Sequence, residues 1–86
     1  MNDIIIRVQS LPSGGYKVVL MSNDKLTTKE ILAVGNITVS SWGKQISDNE
    51  YLWINPDSSL PKFIGSELWQ RIIIKSIEKE ILFDIL

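Results

Sequence analysis

The stretch Ser66-Glu67-Leu68-Trp69-Gln70-Arg71-Ile72-Ile73-Ile74-Lys75-Ser76-Ile77-Glu78-Lys79-Glu80-Ile81-Leu82-Phe83-Asp84-Ile85-Leu86 decides the fold. Within it Trp69, Ile73, Ile77, Ile81 and Ile85 recur every four residues, and Leu68, Ile72 and Leu82 widen the stripe. Residues four apart share one side of a helix, so the spacing predicts a single amphipathic helix running to the last residue. Ser66 suits the N-cap, and Glu67 sets a negative charge at the positive end of the helix dipole. A helix of about 20 residues is about 30 Å long, more than a small sheet needs, so its last turns either overhang or meet something else. The rival reading takes the β-branched run Arg71 to Ile77 as a strand; the repeat beyond Ile77 argues against it.

Working back from that helix, Asn55-Pro56-Asp57-Ser58-Ser59-Leu60-Pro61-Lys62-Phe63-Ile64-Gly65 is a connector stiffened by two prolines. Its Leu60, Phe63 and Ile64 predict that it packs on the domain, since a free linker is more polar. Glu50 to Asn55 is a strand with Tyr51 and Trp53 on one side and Leu52 and Ile54 on the other, and two apolar sides suit an interior position. Pro56 ends it, because proline cannot donate to a ladder. Ile37, Val39 and Ser41 have the spacing of a short strand ended by Trp42-Gly43, with a turn over Ile46 to Asn49. Between residues 26 and 36 two patterns compete. Thr27 and Glu30 have the spacing of a capping box, with Gly35 as a stop; the same residues also alternate, but with mixed faces. A short helix or an irregular turn fits better.

At the other end of the chain the pattern is plain. Ile4, Ile6 and Val8 alternate with Ile5, Arg7 and Gln9, and Tyr16, Val18 and Leu20 alternate with Lys17, Val19 and Met21. Period two marks half-buried strands. Ser10-Leu11-Pro12-Ser13-Gly14-Gly15 between them supplies a fixed φ and two glycines, so the pair is a hairpin. The fold expected is α+β: an antiparallel sheet of three to four strands, the N-terminal hairpin plus later strands, packed against a long C-terminal helix. With 86 residues, one domain spanning 1–86 accounts for the whole sequence. Such a domain buries only about 60–65% of its unfolded surface, so a partner's surface adds usefully to its stability.

Composition narrows function by exclusion. The chain has no histidine and no cysteine, which removes the usual general base near neutral pH, thiol nucleophiles, thiolate metal sites and disulfides. Glu80 and Asp84 share a face of the expected helix, but with Glu78 they read as a solvated acidic edge. Asn55 to Ser59 offers oxygens without the spaced acidic ladder of a calcium loop. Ser13-Gly14-Gly15 lacks the lysine and following helix of a phosphate loop. No enzyme activity, cofactor or metal is expected. Nine basic residues against ten acidic ones leave no basic stripe for nucleic acid. The compact basic group is Arg71, Lys75 and Lys79, interleaved with Glu67, Glu78 and Glu80. The N-terminus lacks the basic and long apolar segments of a signal peptide, apolar runs fall far short of a membrane span, and a cytoplasmic setting is expected.

What remains is contact. Trp53 and Trp69 read as core residues, whereas Trp42, beside Gly43 at a turn, is the tryptophan most open to exposure. On the helical projection Ile74 sits among Gln70, Arg71, Lys75 and Glu78. If one helix covers one side of the sheet, Ile5, Val19 and Met21 face solvent on the other. Contiguous exposed apolar surface marks contact sites. The function expected is therefore non-enzymatic protein binding, as a small accessory subunit, adaptor or inhibitor. The candidate contact residues are Ile5, Val19, Met21, Trp42, Ile74, Phe83 and Leu86, and the partner is another protein or a second copy. The alternative is a nucleic-acid-associated protein using Trp42 with Arg71, Lys75 and Lys79.

Overall fold

Period-two alternation in the first 22 residues forms the hairpin expected of it: β1 (Ile4–Ser10) pairs antiparallel with β2 (Tyr16–Ser22). This is seen in a computed structural model that describes residues 2–38 and 42–86, without the side chain of Trp42. The turn closes through Leu11 N–H to Gly15 O at 2.7 Å and Gly14 N–H to Leu11 O at 3.0 Å. Gly14 has φ +99, which a side chain would resist, and a Cβ at Gly15 would strike the Asn55 carbonyl and Pro56.

The ambiguous stretch after β2 is a helix, α1 (Thr28–Gly35). Its start is the capping box read from the sequence: the Thr27 hydroxyl accepts Glu30 N–H at 3.2 Å, and Glu30 Oε1 accepts Thr27 N–H at 2.9 Å. The expected strand over Ile37, Val39 and Ser41 falls largely on residues 39–41, which lie outside the described residues. Strand β3 (Trp42–Ser47) begins at Trp42-Gly43, where the sequence suggested a stop. It turns at Asp48-Asn49 into β4 (Glu50–Asn55). The connector packs down as expected: Ile64 is buried, and Leu60 and Phe63 lie against the core.

The C-terminal third overturns the expected fold. Helix α2 covers only Glu67–Ile77, and Ile81–Ile85 forms a further strand, β5. The sheet has five strands in the order β3-β4-β2-β1-β5 and is mixed, because β5 runs parallel to β1 while the other pairs are antiparallel. Two short helices replace the single long one. The expected antiparallel sheet of three to four strands beneath a long terminal helix is therefore incorrect. The reason lies in the spacing. Four residues is close to one helical turn, but it is also two strand repeats, so Ile77, Ile81 and Ile85 satisfy both periods. Glu78 breaks the helix by adopting the left-handed conformation (φ 59, ψ 33), and its N–H bonds to Ile74 O at 3.1 Å. No glycine announces that stop. Within α2 the stripe holds in part: Ser66 accepts Trp69 N–H at 3.2 Å, and Trp69, Ile73 and Ile77 are buried, whereas Leu68, read as widening the stripe, is 56% exposed. Burying each contributes about 1.5–3 kcal/mol.

Both helices cover one side of the sheet. The core joins Ile4, Ile6, Val8, Tyr16, Val18, Leu20 and Trp53 from the strands to Leu26, Val34, Ile64, Trp69, Ile73 and Ile77 above them. Trp53 lies between two glycines: a Cβ on Gly35 would come within 3.1 Å of its ring, and one on Gly43 within 2.8 Å. Among the described residues no helix is long and apolar enough to cross a membrane.

Candidate protein-binding surface

The other side of the sheet follows from strand alternation. Residues paired across neighbouring strands point the same way. The registers therefore place Leu82, Ile5, Met21 and Glu50 in one row, and Asp84, Arg7, Val19, Leu52 and Lys44 in the next. A third row holds Gln9, Lys17 and Ile54. Six apolar side chains thus share this surface: Ile5, Val19, Met21, Leu52, Ile54 and Leu82. None belongs to the core. Five are half-buried by their neighbours, and Leu82 is 45% exposed. The helices pack against the opposite side of the sheet. Five strands at about 4.8 Å spacing span about 19 Å from one edge strand to the other.

Its electrostatics are muted. Arg7 Nε donates to Asp84 Oδ2 at 2.8 Å across the β1–β5 register, which cancels two of the three charges in the middle row and leaves Lys44 on the outer strand. Lys17, Lys44 and Glu50 lie at strand ends or on the outer strands, so the apolar side chains form a band with a charged rim. That pattern resembles a protein contact, with charges depleted at the centre.

Comparison with protein-family models, with curated proteins and with solved structures returns no match.

The expected contact residues are divided by the structure. Ile5, Val19 and Met21 come together on the open side. Ile74 is 48% exposed but lies on α2, away from them, among polar neighbours. Phe83 turns inward, edge-on to Trp69 with ring centroids 5.9 Å apart. Leu86 follows β5 and is exposed, its N–H bonded to Val8 O. The Trp42 side chain lies outside the described residues. Sequence reading missed Leu52 and Ile54, because an apolar pattern on both sides of β4 reads as an interior strand. It also missed Leu82, which had been assigned to the helix stripe.

The residues weighed for other chemistry are scattered. Arg71 pairs with Glu67 at 3.2 Å on the solvent side of α2. Lys79 leaves the helix altogether and meets Glu30 Oε2 at 2.7 Å. Burial pushes the Glu30 carboxyl up, but Lys79 and the Thr27 hydrogen bonds outweigh it and hold the group below the usual carboxylate range. The same contact raises Lys79 above its usual value. This pair ties α1 to the turn before β5, on the covered side of the sheet. Among the described residues no pocket forms, and no three carboxylates converge as a metal site would require.

Proposed function

We propose that this chain is a protein-binding domain that acts through the open side of its sheet, without catalysing a reaction. One observation carries the reading. Both helices lie on the same side, leaving Ile5, Val19, Met21, Leu52 and Leu82 grouped on the other, outside the core. Apolar side chains grouped on the open side of a sheet are costly to keep in water, and contiguous exposed apolar patches mark places where something docks. The neutral Arg7–Asp84 pair fits the reading, because a paired charge is easier to bury than a lone one. An accessory subunit, an adaptor and an inhibitor that occludes a partner's surface all use a flat apolar area in this way.

The test is site-specific photo-cross-linking in the native cell. A photoreactive side chain at position 52 should give a discrete protein adduct, and the same group at Lys75, on the solvent side of α2, should give none. Absence of adducts at position 52, or equal labelling at both positions, would refute the assignment of the surface.

A further inference from the structure

We propose that two copies of this chain join edge to edge through β5, antiparallel about Phe83, into one continuous sheet. The inference rests on the hydrogen bonding of the sheet edge and not on the open-side reading, so either can fail alone.

The two edges of the sheet are not alike. Strand β3 carries Gly43 and Lys44, and its register shifts between Gln45 and Ser47. A lysine and an irregular register are common devices that stop an edge from templating another strand. Strand β5, Ile81-Leu82-Phe83-Asp84-Ile85, has none of them: no proline, no lysine, no register shift. Its single charge, Asp84, is neutralised by Arg7.

The backbone of β5 shows which groups are free. Ile4 N–H donates to Glu80 O at 3.1 Å, and Leu86 N–H to Val8 O at 2.8 Å. Alternation along the strand then turns the amides of Leu82 and Asp84 toward β1 and those of Ile81, Phe83 and Ile85 outward. Among the described residues β5 pairs with β1 alone. The outward positions are symmetric about Phe83. In an antiparallel pair centred there, Phe83 meets Phe83 of the second copy and Ile81 meets Ile85, and each pair exchanges both hydrogen bonds. On the covered side of the sheet the strand then pairs apolar residues only. On the open side Leu82 lies across from Asp84 of the second copy, twice per dimer. A two-fold axis perpendicular to the sheet leaves both open surfaces on the same side, which doubles the apolar platform.

Light scattering and sedimentation over micromolar to millimolar concentration test this with three variants. The wild type should form dimers, with slowed exchange at the Ile81, Phe83 and Ile85 amides. Ile85→Pro removes an outward N–H that β1 does not use, and should give a folded monomer. Leu82→Glu places like charges across the new pair and should weaken dimerisation about tenfold, whereas Leu82→Lys faces Asp84 of the second copy and should keep or tighten it. A chain monomeric throughout, or a dimer that survives Ile85→Pro, overturns the proposal. So does Leu82→Lys weakening the dimer as much as Leu82→Glu, which would place the contact on the open side. If Ile85→Pro fails to fold, the two Leu82 variants decide.

Discussion

Replacing Lys79 with methionine removes the charge that faces Glu30 and keeps much of the aliphatic stem. Breaking a fully buried ion pair costs about 3–5 kcal/mol, and breaking a fully exposed one about 0–1 kcal/mol. Here the Glu30 side chain is 4% exposed and that of Lys79 40%, so water screens one partner and not the other. Glu30 Oε1 keeps the Thr27 N–H, so only one carboxylate oxygen loses its partner. An intermediate value of about 2 kcal/mol follows. At about 2.1 cal/mol/K per residue, 86 residues give an unfolding entropy of about 0.18 kcal/mol/K, so the melting temperature should fall by roughly 11 °C. The pH dependence carries a second signature. A carboxyl whose folded pKa is depressed adds stability above its unfolded value, here 4.5, and loses it as pH falls through the lower folded value. Lys79, raised above 10.5, adds stability below that value and loses it as pH rises through the folded one. In Lys79→Met burial acts on Glu30 with only Thr27 opposing it, so its folded pKa moves up toward the unfolded value and the stability that Glu30 loses in acid should shrink relative to the wild type. Adding Glu30→Gln removes the stranded charge and should recover part of the deficit. Thermal melts of the three proteins from pH 3 to pH 8 provide the assay. A Lys79→Met protein with the wild-type midpoint and the wild-type acid limb would refute the reasoning.

Two further substitutions probe the packing and the helix stop. Gly43→Ala puts a Cβ at 2.6 Å from the Tyr51 ring and 2.8 Å from the Trp53 ring, so it should cost about 1–3 kcal/mol and shift the tryptophan fluorescence. Glu78→Gly relieves a non-glycine residue at φ 59 and should raise stability by about 1 kcal/mol, read as a higher melting temperature; an unchanged or lower one would remove the claim that this residue is strained.

The local patterns were legible where one period had no rival. Ile4 to Val8 and Tyr16 to Met21 fit a strand and nothing else, whereas Thr27 with Glu30 marked a helix start that a competing alternation left open. The last 21 residues were misread because a four-residue repeat belongs to both periods. The discriminating signal was present in the charged run Glu78-Lys79-Glu80, which separates the helix stripe from the β-branched and aromatic segment Ile81 to Ile85. It was overridden because the helix ends on a left-handed glutamate, a conformation that residue type does not advertise. The open surface was legible in part for the same reason. Alternation in the hairpin exposed Ile5, Val19 and Met21. Leu52 and Leu82 could be added only once the registers of β4 and β5 were known, because an apolar residue on a two-sided strand has no outward direction in the sequence alone.

The reading of the molecule turns on whether the uncovered side of the sheet serves contact and not the core. The pair Val19→Glu with Leu52→Lys, neighbours in one row, places opposite charges in the middle of that surface without altering net charge. The doubly substituted chain should melt within a few degrees of the wild type and yet lose the adduct formed from a photoreactive group at Ile54. Loss of the fold would show that these side chains belong to the core, and an undiminished adduct would show that the partner binds elsewhere.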